Sequence, residues 1–289
     1  MSAVTSAVIA TRPRQWVKNV LVLAAPLAAG KLFEPDVLVP TLLAAFAFCL
    51  AAGAIYLLND VRDAEEDRRH PVKQLRPVAA GQLGERPALL LATILGVAAL
   101  VLGFAIRPQL GITLVAYGVL QIAYSYGFKH QPVLDLACVA AGFLLRAVAG
   151  GAATGIPLSQ WFLLVASFGS LFMVSGKRFS EMRGVGAVAG TRRSLEGYTE
   201  SYLRFVWALS TALTVMSYSL WAFEINPPGE HVPWPPISIA PFVLGILRYA
   251  VHIDAGEAGE PEDIVLHDRV LQGLGVVWLA VVCAGVFSA

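Results

Sequence analysis

Between Val37 and Leu58 the chain runs 22 residues without a charged side chain. A stretch of that length spans the ~30 Å hydrocarbon core of a bilayer as an α-helix, and lipid offers its backbone amides no partners outside the helix. The pattern recurs, giving about nine candidate spans: 17–31, 37–58, 88–106, 109–126, 133–153, 158–176, 203–224, 236–253 and 270–288. The first is short and interrupted by Pro26. Composition agrees, with 57% hydrophobic and 14% charged residues and a mean hydropathy of +0.67. Soluble domains run about 45–50% apolar and ~25% charged. The expected fold is an all-α integral membrane protein. No polar stretch is long enough for a second domain, so residues 1–289 read as one polytopic domain with a short basic N-terminal arm at 1–16. That arm precedes an apolar span that no clear small-residue cleavage site ends, so it does not read as a cleavable signal peptide.

Orientation follows from Lys and Arg. The N-terminal arm carries Arg12, Arg14 and Lys18. The segment after the second span carries Arg62, Arg68, Arg69, Lys73, Arg76 and Arg86. The segment after the sixth carries Lys177, Arg178, Arg183, Arg192, Arg193 and Arg204. The opposite loops hold only Lys31 and Arg107. The N-terminus and all three basic clusters are therefore expected on the cytoplasmic side. A net charge of +1 gives no reason to expect a nucleic-acid partner; membrane lipid is the expected surrounding. Cys49, Cys138 and Cys283 are far apart and inside apolar runs, which reads as small buried side chains rather than a disulfide or zinc pattern.

The most informative polar stretch follows the second span directly: Asn59-Asp60-Val61-Arg62-Asp63-Ala64-Glu65-Glu66-Asp67. At ~100° per helical residue, Asp63 lies about 60° and Asp67 about 20° from Asp60, so the three aspartates share one face. Glu65 and Glu66 point elsewhere. Carboxylates so placed repel one another unless a cation sits among them. Oxygen donors suit Mg²⁺, which keeps several waters and is completed by substrate phosphates. The expectation is a magnesium-diphosphate site at a membrane surface. A solvated acidic loop is the bland alternative.

Basic segments accompany it. Arg14 and Lys18 are four apart and would share a helix face, as a membrane-surface anchor or a phosphate clamp. Pro71, Pro77 and Gly81 break the segment 70–81 into a loop beside the acidic face, carrying Lys73 and Arg76. Tyr124 to Asp135 forms a turn at Gly127 and Pro132, with Lys129 and the single acid Asp135. Arg146 lies inside the fifth span, where a charge must face inward to a partner or a water-filled cavity. Lys177 and Glu181 are spaced to pair. Arg192 belongs to a further polar stretch, and an acidic loop runs from Asp254 to Asp268.

Asn59-Asp60-x-x-Asp63-x-x-x-Asp67 at the end of a second membrane helix, within about nine spans, resembles the UbiA superfamily of intramembrane prenyltransferases. The resemblance covers essentially the whole chain. Typical members carry a second motif, DxxxD, between later spans; here that region holds only Asp135. Arg12-Pro13-Arg14-Gln15-Trp16-Val17-Lys18-Asn19, Lys129-His130, Lys177-Arg178 with Glu181, Tyr198 and Gly259 to Asp263 are similar to a branch of that family with different chemistry. That branch moves 5-phosphoribosyl from 5-phosphoribosyl 1-diphosphate to decaprenyl phosphate, for cell-wall arabinan synthesis at the plasma membrane.

The resemblance implies Asp60, Asp63 and Asp67 as Mg²⁺ ligands that activate the diphosphate leaving group, with Asn59 orienting them. It implies Arg14, Lys18, Lys73, Arg76, Tyr124, Lys129, Asp135, Arg146, Lys177, Arg178, Glu181, Arg192 and Tyr198 as substrate-contacting residues. Self-association is compatible with it. Two other readings stay open: transfer of a polyprenyl group from its diphosphate to an aromatic acceptor, and a non-enzymatic transporter or lipid-binding protein. The surplus of cations weighs against the first, and the concentration of charge at one surface against the second.

Overall fold

The apolar runs fold as helices, and every regular element among the described residues is helical. The structure is a computed structural model that describes residues 3–184, 195, 197–225 and 232–287. In chain order the α-helices are α1 (Ala3–Ala10), α2 (Ala24–Ala28), α3 (Pro35–Arg62), α4 (Ala64–Arg69), α5 (Glu85–Ile106), α6 (Pro108–Tyr126), α7 (Leu134–Thr154), α8 (Gln160–Gly184), α9 (Glu200–Glu224), α10 (Trp234–Ile237), α11 (Ile239–Asp254), α12 (Pro261–His267) and α13 (Arg269–Phe287). Short 3₁₀ turns cover Lys73–Leu75 and Phe128–His130, and a longer 3₁₀ helix covers Pro13–Leu23.

Among the described residues, seven segments are long and apolar enough to cross a membrane: α3, α5, α7, α8, α9, α10 with α11, and α13. They match seven of the nine runs read from sequence. The run at 109–126 does fold as a helix, α6, but Gln109, Thr113 and Gln121 dilute its hydropathy. The run at 17–31 is corrected. It folds as the eleven-residue 3₁₀ helix Pro13–Leu23 followed by the five-residue α2. Pro26 lacks an N–H donor, so no uninterrupted α ladder passes through the segment.

Helix α3 begins with Pro35 at its first turn, where a missing N–H costs nothing, and Asp36 complements the helix dipole. Its 28 residues rise about 42 Å at ~1.5 Å each, more than the ~30 Å hydrocarbon layer. The polar end from Asn59 to Arg62 is the excess. Helix α8 likewise continues to Gly184, past the expected end at 176, so Lys177, Arg178 and Glu181 stand on helical backbone. The pairing of Lys177 with Glu181 along one face supports that extension.

The chain forms two compact units. The first comprises Met1–Leu27, Lys31–Tyr126 and Leu145–Pro157. Its core contains Val22, Ala44, Ala47, Phe48, Leu110, Leu114, Tyr117, Ala149 and Ala153. Small side chains let backbones approach closely, as in other membrane bundles. Gly150 is the limiting case, because a Cβ there would lie 2.1 Å from the Val22 carbonyl oxygen. Leu90, Ile94, Val97, Val101 and Phe104 recur at helical spacing on α5 and are exposed. Such a stripe suits contact with lipid tails rather than water.

The second unit comprises Ala28–Gly30, Gly127–Leu144 and Leu158–Ala289. Its largest cluster gathers Leu136, Phe172, Phe179, Tyr198, Leu203, Tyr249 and Ile253. A smaller one holds Tyr218, Trp221 and Val282. Tyr218 bonds Ser238 at 2.6 Å and accepts from Trp278 Nε1 at 2.7 Å, so its polar end is satisfied inside the cluster. All three cysteines are free thiols. Cys138 is buried as expected, whereas Cys49 and Cys283 are only partly so.

Candidate functional site

In the first unit the aspartate stretch does not stay on one continuous helix. Helix α3 ends at Arg62, and Asp63, at φ −93° and ψ 8°, is the junction to α4. The face predicted from an uninterrupted helix is therefore replaced by a helix–corner–helix. Two of the three carboxylates still converge. Asp60 and Asp67 are each 1% exposed, while Asp63 is partly exposed. Arg76 Nη1 lies 2.6 Å from Asp67 Oδ2 and 3.4 Å from Asp60 Oδ1. Lys73 Nζ is 3.9 Å from Asp67 Oδ1. The loop broken by Pro71 and Pro77 thus lies against the acidic residues, as its composition predicts. Glu65 and Glu66 are exposed and outside the cluster. Asn59 accepts a 2.6 Å hydrogen bond from Ser125 Oγ of α6, which fixes its side-chain amide against that helix.

Arg12 joins this cluster, and sequence reasoning did not single it out. Its Nη2 bonds Asp60 Oδ1, and its guanidinium lies 4.9 Å from the centre of the Tyr56 ring. Its backbone is left-handed, at φ 55°. A following proline disfavours the right-handed helical region, and a left-handed non-glycine residue costs on the order of 1–3 kcal/mol. Its sequence signals were its place before Pro13 in the basic arm and at the head of the Arg12–Asn19 stretch.

The expectation that Arg14 and Lys18 share a face is corrected. In a 3₁₀ helix residues three apart eclipse, and residues four apart diverge by about 120°. Lys18 Nζ accordingly bonds the side chain of Gln15, and Arg14 is exposed. Arg146 does face inward. It is 6% exposed, with Nε donating to Asn19 Oδ1 at 2.8 Å and Nη2 to the Tyr117 hydroxyl at 3.0 Å. Asn19 passes the chain on to Cys49 Sγ at 3.1 Å. This ties α7 to the N-terminal 3₁₀ helix in the unit core. Tyr124 is half-buried on α6, one residue before Ser125.

In the second unit the turn 127–135 leads into α7. Asp135, fully buried in the first turn of α7, takes both oxygens to Arg178 of α8: Oδ2 from Nε at 2.8 Å and Oδ1 from Nη2 at 3.0 Å. Arg178 Nη1 donates to Glu181 Oε2 at 2.8 Å, and Lys177 Nζ stands 3.9 Å from Glu181 Oε1. The acid missing from the second motif thus has a counterpart on another helix, because one guanidinium gathers Asp135 and Glu181. Nothing in linear spacing shows this. Lys129 lies in the 3₁₀ turn Phe128–His130. Val133 stands at φ 70°, and its N–H donates to the Tyr198 hydroxyl at 2.8 Å. Tyr198 stacks on Tyr202, and burial pushes its hydroxyl above the ordinary tyrosine range. Arg192 lies outside the described residues.

Among the described residues no group of three or more His, Cys, Asp or Glu side chains is arranged to hold a metal ion. Asp60 and Asp67 converge on Arg76, and both offer hard oxygen donors. That set fits an Mg²⁺ ion that draws its remaining ligands from water and substrate. It does not fit a cage built wholly of protein.

The chain matches the UbiA prenyltransferase family over residues 20–265. It is 52% identical over 288 residues to a protein of Mycobacterium tuberculosis named decaprenyl-phosphate phosphoribosyltransferase, covering 98% of this chain and 95% of the relative. A protein of the same name from Mycolicibacterium smegmatis is 50% identical over 296 residues, covering 98% and 93%. Among solved structures, a UbiA homolog from Archaeoglobus fulgidus bound to GPP and Mg²⁺ has a TM-score of 0.70, with 19% identity over 98% of this chain and 100% of that one. The sequence motif, the all-helical architecture and these likenesses agree: the chain is a multi-pass membrane protein and belongs to the UbiA prenyltransferase family.

Proposed function

We propose that this protein transfers a 5-phosphoribosyl group from 5-phosphoribosyl 1-diphosphate to decaprenyl phosphate, releasing diphosphate. The observation that carries the reading is the likeness, at 52% identity over 98% of the chain, to an enzyme named for that acceptor and that group. The charge arrangement supports it. Both substrates are anionic where they react, and the first unit surrounds two buried carboxylates with Arg12, Arg76 and Lys73.

In the reaction the bond from ribose C1 to the diphosphate oxygen breaks and a bond from C1 to the lipid phosphate oxygen forms. Asp60 and Asp67 would hold Mg²⁺, which when bound neutralises charge developing on the leaving diphosphate. Asp63 stands at the corner beside them. Asn59, fixed by Ser125, keeps the end of α3 oriented. Arg76, Lys73 and Lys18 are the first unit's cations for phosphate oxygens, with Arg14 at its surface. Lys129 and Lys177 are those of the second unit, with Arg192 added from sequence alone. Arg178, engaged by Asp135 and Glu181, holds that cluster in place. The lipid phosphate is already anionic near neutral pH, so no residue is needed to remove a proton. The polyprenyl tail lies among apolar helices, and the reaction serves arabinan assembly from the cytoplasmic face of the plasma membrane.

The test uses purified protein with Mg²⁺, decaprenyl phosphate and labelled 5-phosphoribosyl 1-diphosphate, against a parallel reaction with a polyprenyl diphosphate and an aromatic acid. Label should enter the lipid phase in the first reaction only. Product in the second alone would overturn the proposal in favour of prenyl transfer.

A further inference from the structure

Val133 is a β-branched residue at φ 70°, where residues other than glycine and asparagine rarely sit. It lies two residues before Asp135, at the point where the turn becomes α7. Something must hold it there. Its peptide N–H donates to the Tyr198 hydroxyl at 2.8 Å, across 65 positions of sequence. Tyr198 is itself fixed, being 7% exposed and stacked on Tyr202 with ring centroids 5.9 Å apart. The adjoining Gly197 packs so closely on the same turn that a Cβ there would come within 2.4 Å of Pro132 Cγ. The segment around Tyr198 therefore clasps the turn at two successive residues. What the turn delivers is Asp135, whose carboxylate orders Arg178 and, through Glu181, Lys177.

We infer that Tyr198 is a positioning residue rather than a substrate contact: its hydroxyl holds the Val133 peptide in the left-handed region, and so places Asp135 and the Arg178–Glu181–Lys177 cluster. The inference rests on the proposed function only in assigning that cluster to an anionic substrate. The hydroxyl accepts from the peptide with one lone pair and keeps its own proton, consistent with a tyrosine whose ionisation is displaced upward by burial.

The test compares Tyr198→Phe in two backgrounds of the full-length protein. Phenylalanine keeps the ring and its stacking and deletes only the acceptor. In the natural background the KM for 5-phosphoribosyl 1-diphosphate should rise about five- to tenfold, the scale of one lost hydrogen bond, with kcat within about threefold. Glycine at position 133 adopts φ 70° unaided, so in a Val133→Gly background the same change should move KM less than about twofold. An equal KM rise in both backgrounds would mean that the hydroxyl touches substrate, and would overturn the inference. So would no rise in either.

Hydrogen exchange supplies a readout independent of turnover. The peptide containing Val133 should exchange faster in Tyr198→Phe while peptides from the middle of α8 and α9 are unchanged. Unchanged exchange at Val133 refutes the clasp. Wild-type protein inert toward the phosphoribosyl donor would remove the proposed function alone, and exchange would then decide the clasp. Should Tyr198→Phe fold poorly, Val133→Asn/Tyr198→Phe must fold, because asparagine tolerates left-handed backbone; failure of that double variant also refutes it.

Discussion

Arg178 grips Asp135 through two nitrogens, at 2.8 and 3.0 Å, from a position 43 residues further along the chain. The pair is buried, so neither charge has water to fall back on. A planar fork is the geometry a carboxylate accepts best, and a lysine cannot reproduce it.

Arg178→Lys should therefore behave as a severe change despite keeping the charge. Loss of one charge-assisted bond and misplacement of Glu181 should lower kcat/KM about 10- to 100-fold, in line with the 1.5–3 kcal/mol of a hydrogen bond to a charged group. Steady-state kinetics of purified protein measure it, and activity within threefold of wild type would remove the cluster from the site.

The carboxylates of the first unit should separate into two classes. Asp60→Asn and Asp67→Asn should each reduce turnover about 100- to 1,000-fold, the scale on which a preorganised electrostatic group acts. Asp63→Asn, at the corner and outside the converging pair, should cost only about tenfold at saturating Mg²⁺. Glu65→Gln and Glu66→Gln should be silent. Rates across a magnesium titration decide this, and equal losses at 60, 63 and 67 would restore the single-face reading of the sequence.

Arg146 is predicted to matter first for stability. Arg146→Met removes the donor to Asn19 and Tyr117 and leaves two buried polar groups without it. The cost should be about 3 kcal/mol, since an unsatisfied buried group costs ~1–3 kcal/mol. Thermal unfolding in detergent should shift down by several degrees. An unchanged midpoint would show that the cluster does not anchor the N-terminal 3₁₀ helix.

Asp268 carries a pH prediction. It accepts from His252 Nε2 and Arg248 Nε at 2.7 Å and from the first amides of α13, at Val270 and Leu271. The hydrogen bond with His252, above all, holds its carboxyl well below the usual range. A depressed carboxylate stabilises the fold fully above its unfolded value of about 3.9, and loses that contribution as pH falls from there through the folded value. Asp268→Asn should thus melt below wild type at pH 7, with the gap closing only below about pH 4. Melting curves from pH 7 to 3 check it; a gap that closes near pH 6 would assign the effect to another group.

Sequence determined the membrane class, because a 22-residue run without charge between Val37 and Leu58 matches the length a helix needs to cross a bilayer, and such runs recur along the chain. It also determined the family and the acidic stretch at 59–67, since those rest on residue type and short spacing. Lys177 with Glu181 was legible for the same reason. Tertiary structure decided what spacing cannot express. Asp63 is a corner rather than part of a helix face, because backbone at φ −93° and ψ 8° ends α3 there. Arg14 and Lys18 diverge because their segment winds with three residues per turn. Arg12 reaches Asp60 from a left-handed backbone, and Asp135 and Glu181 are joined through Arg178. These depend on contacts between residues tens of positions apart. Their geometry is set by packing and charge pairing, which no local pattern in the chain encodes.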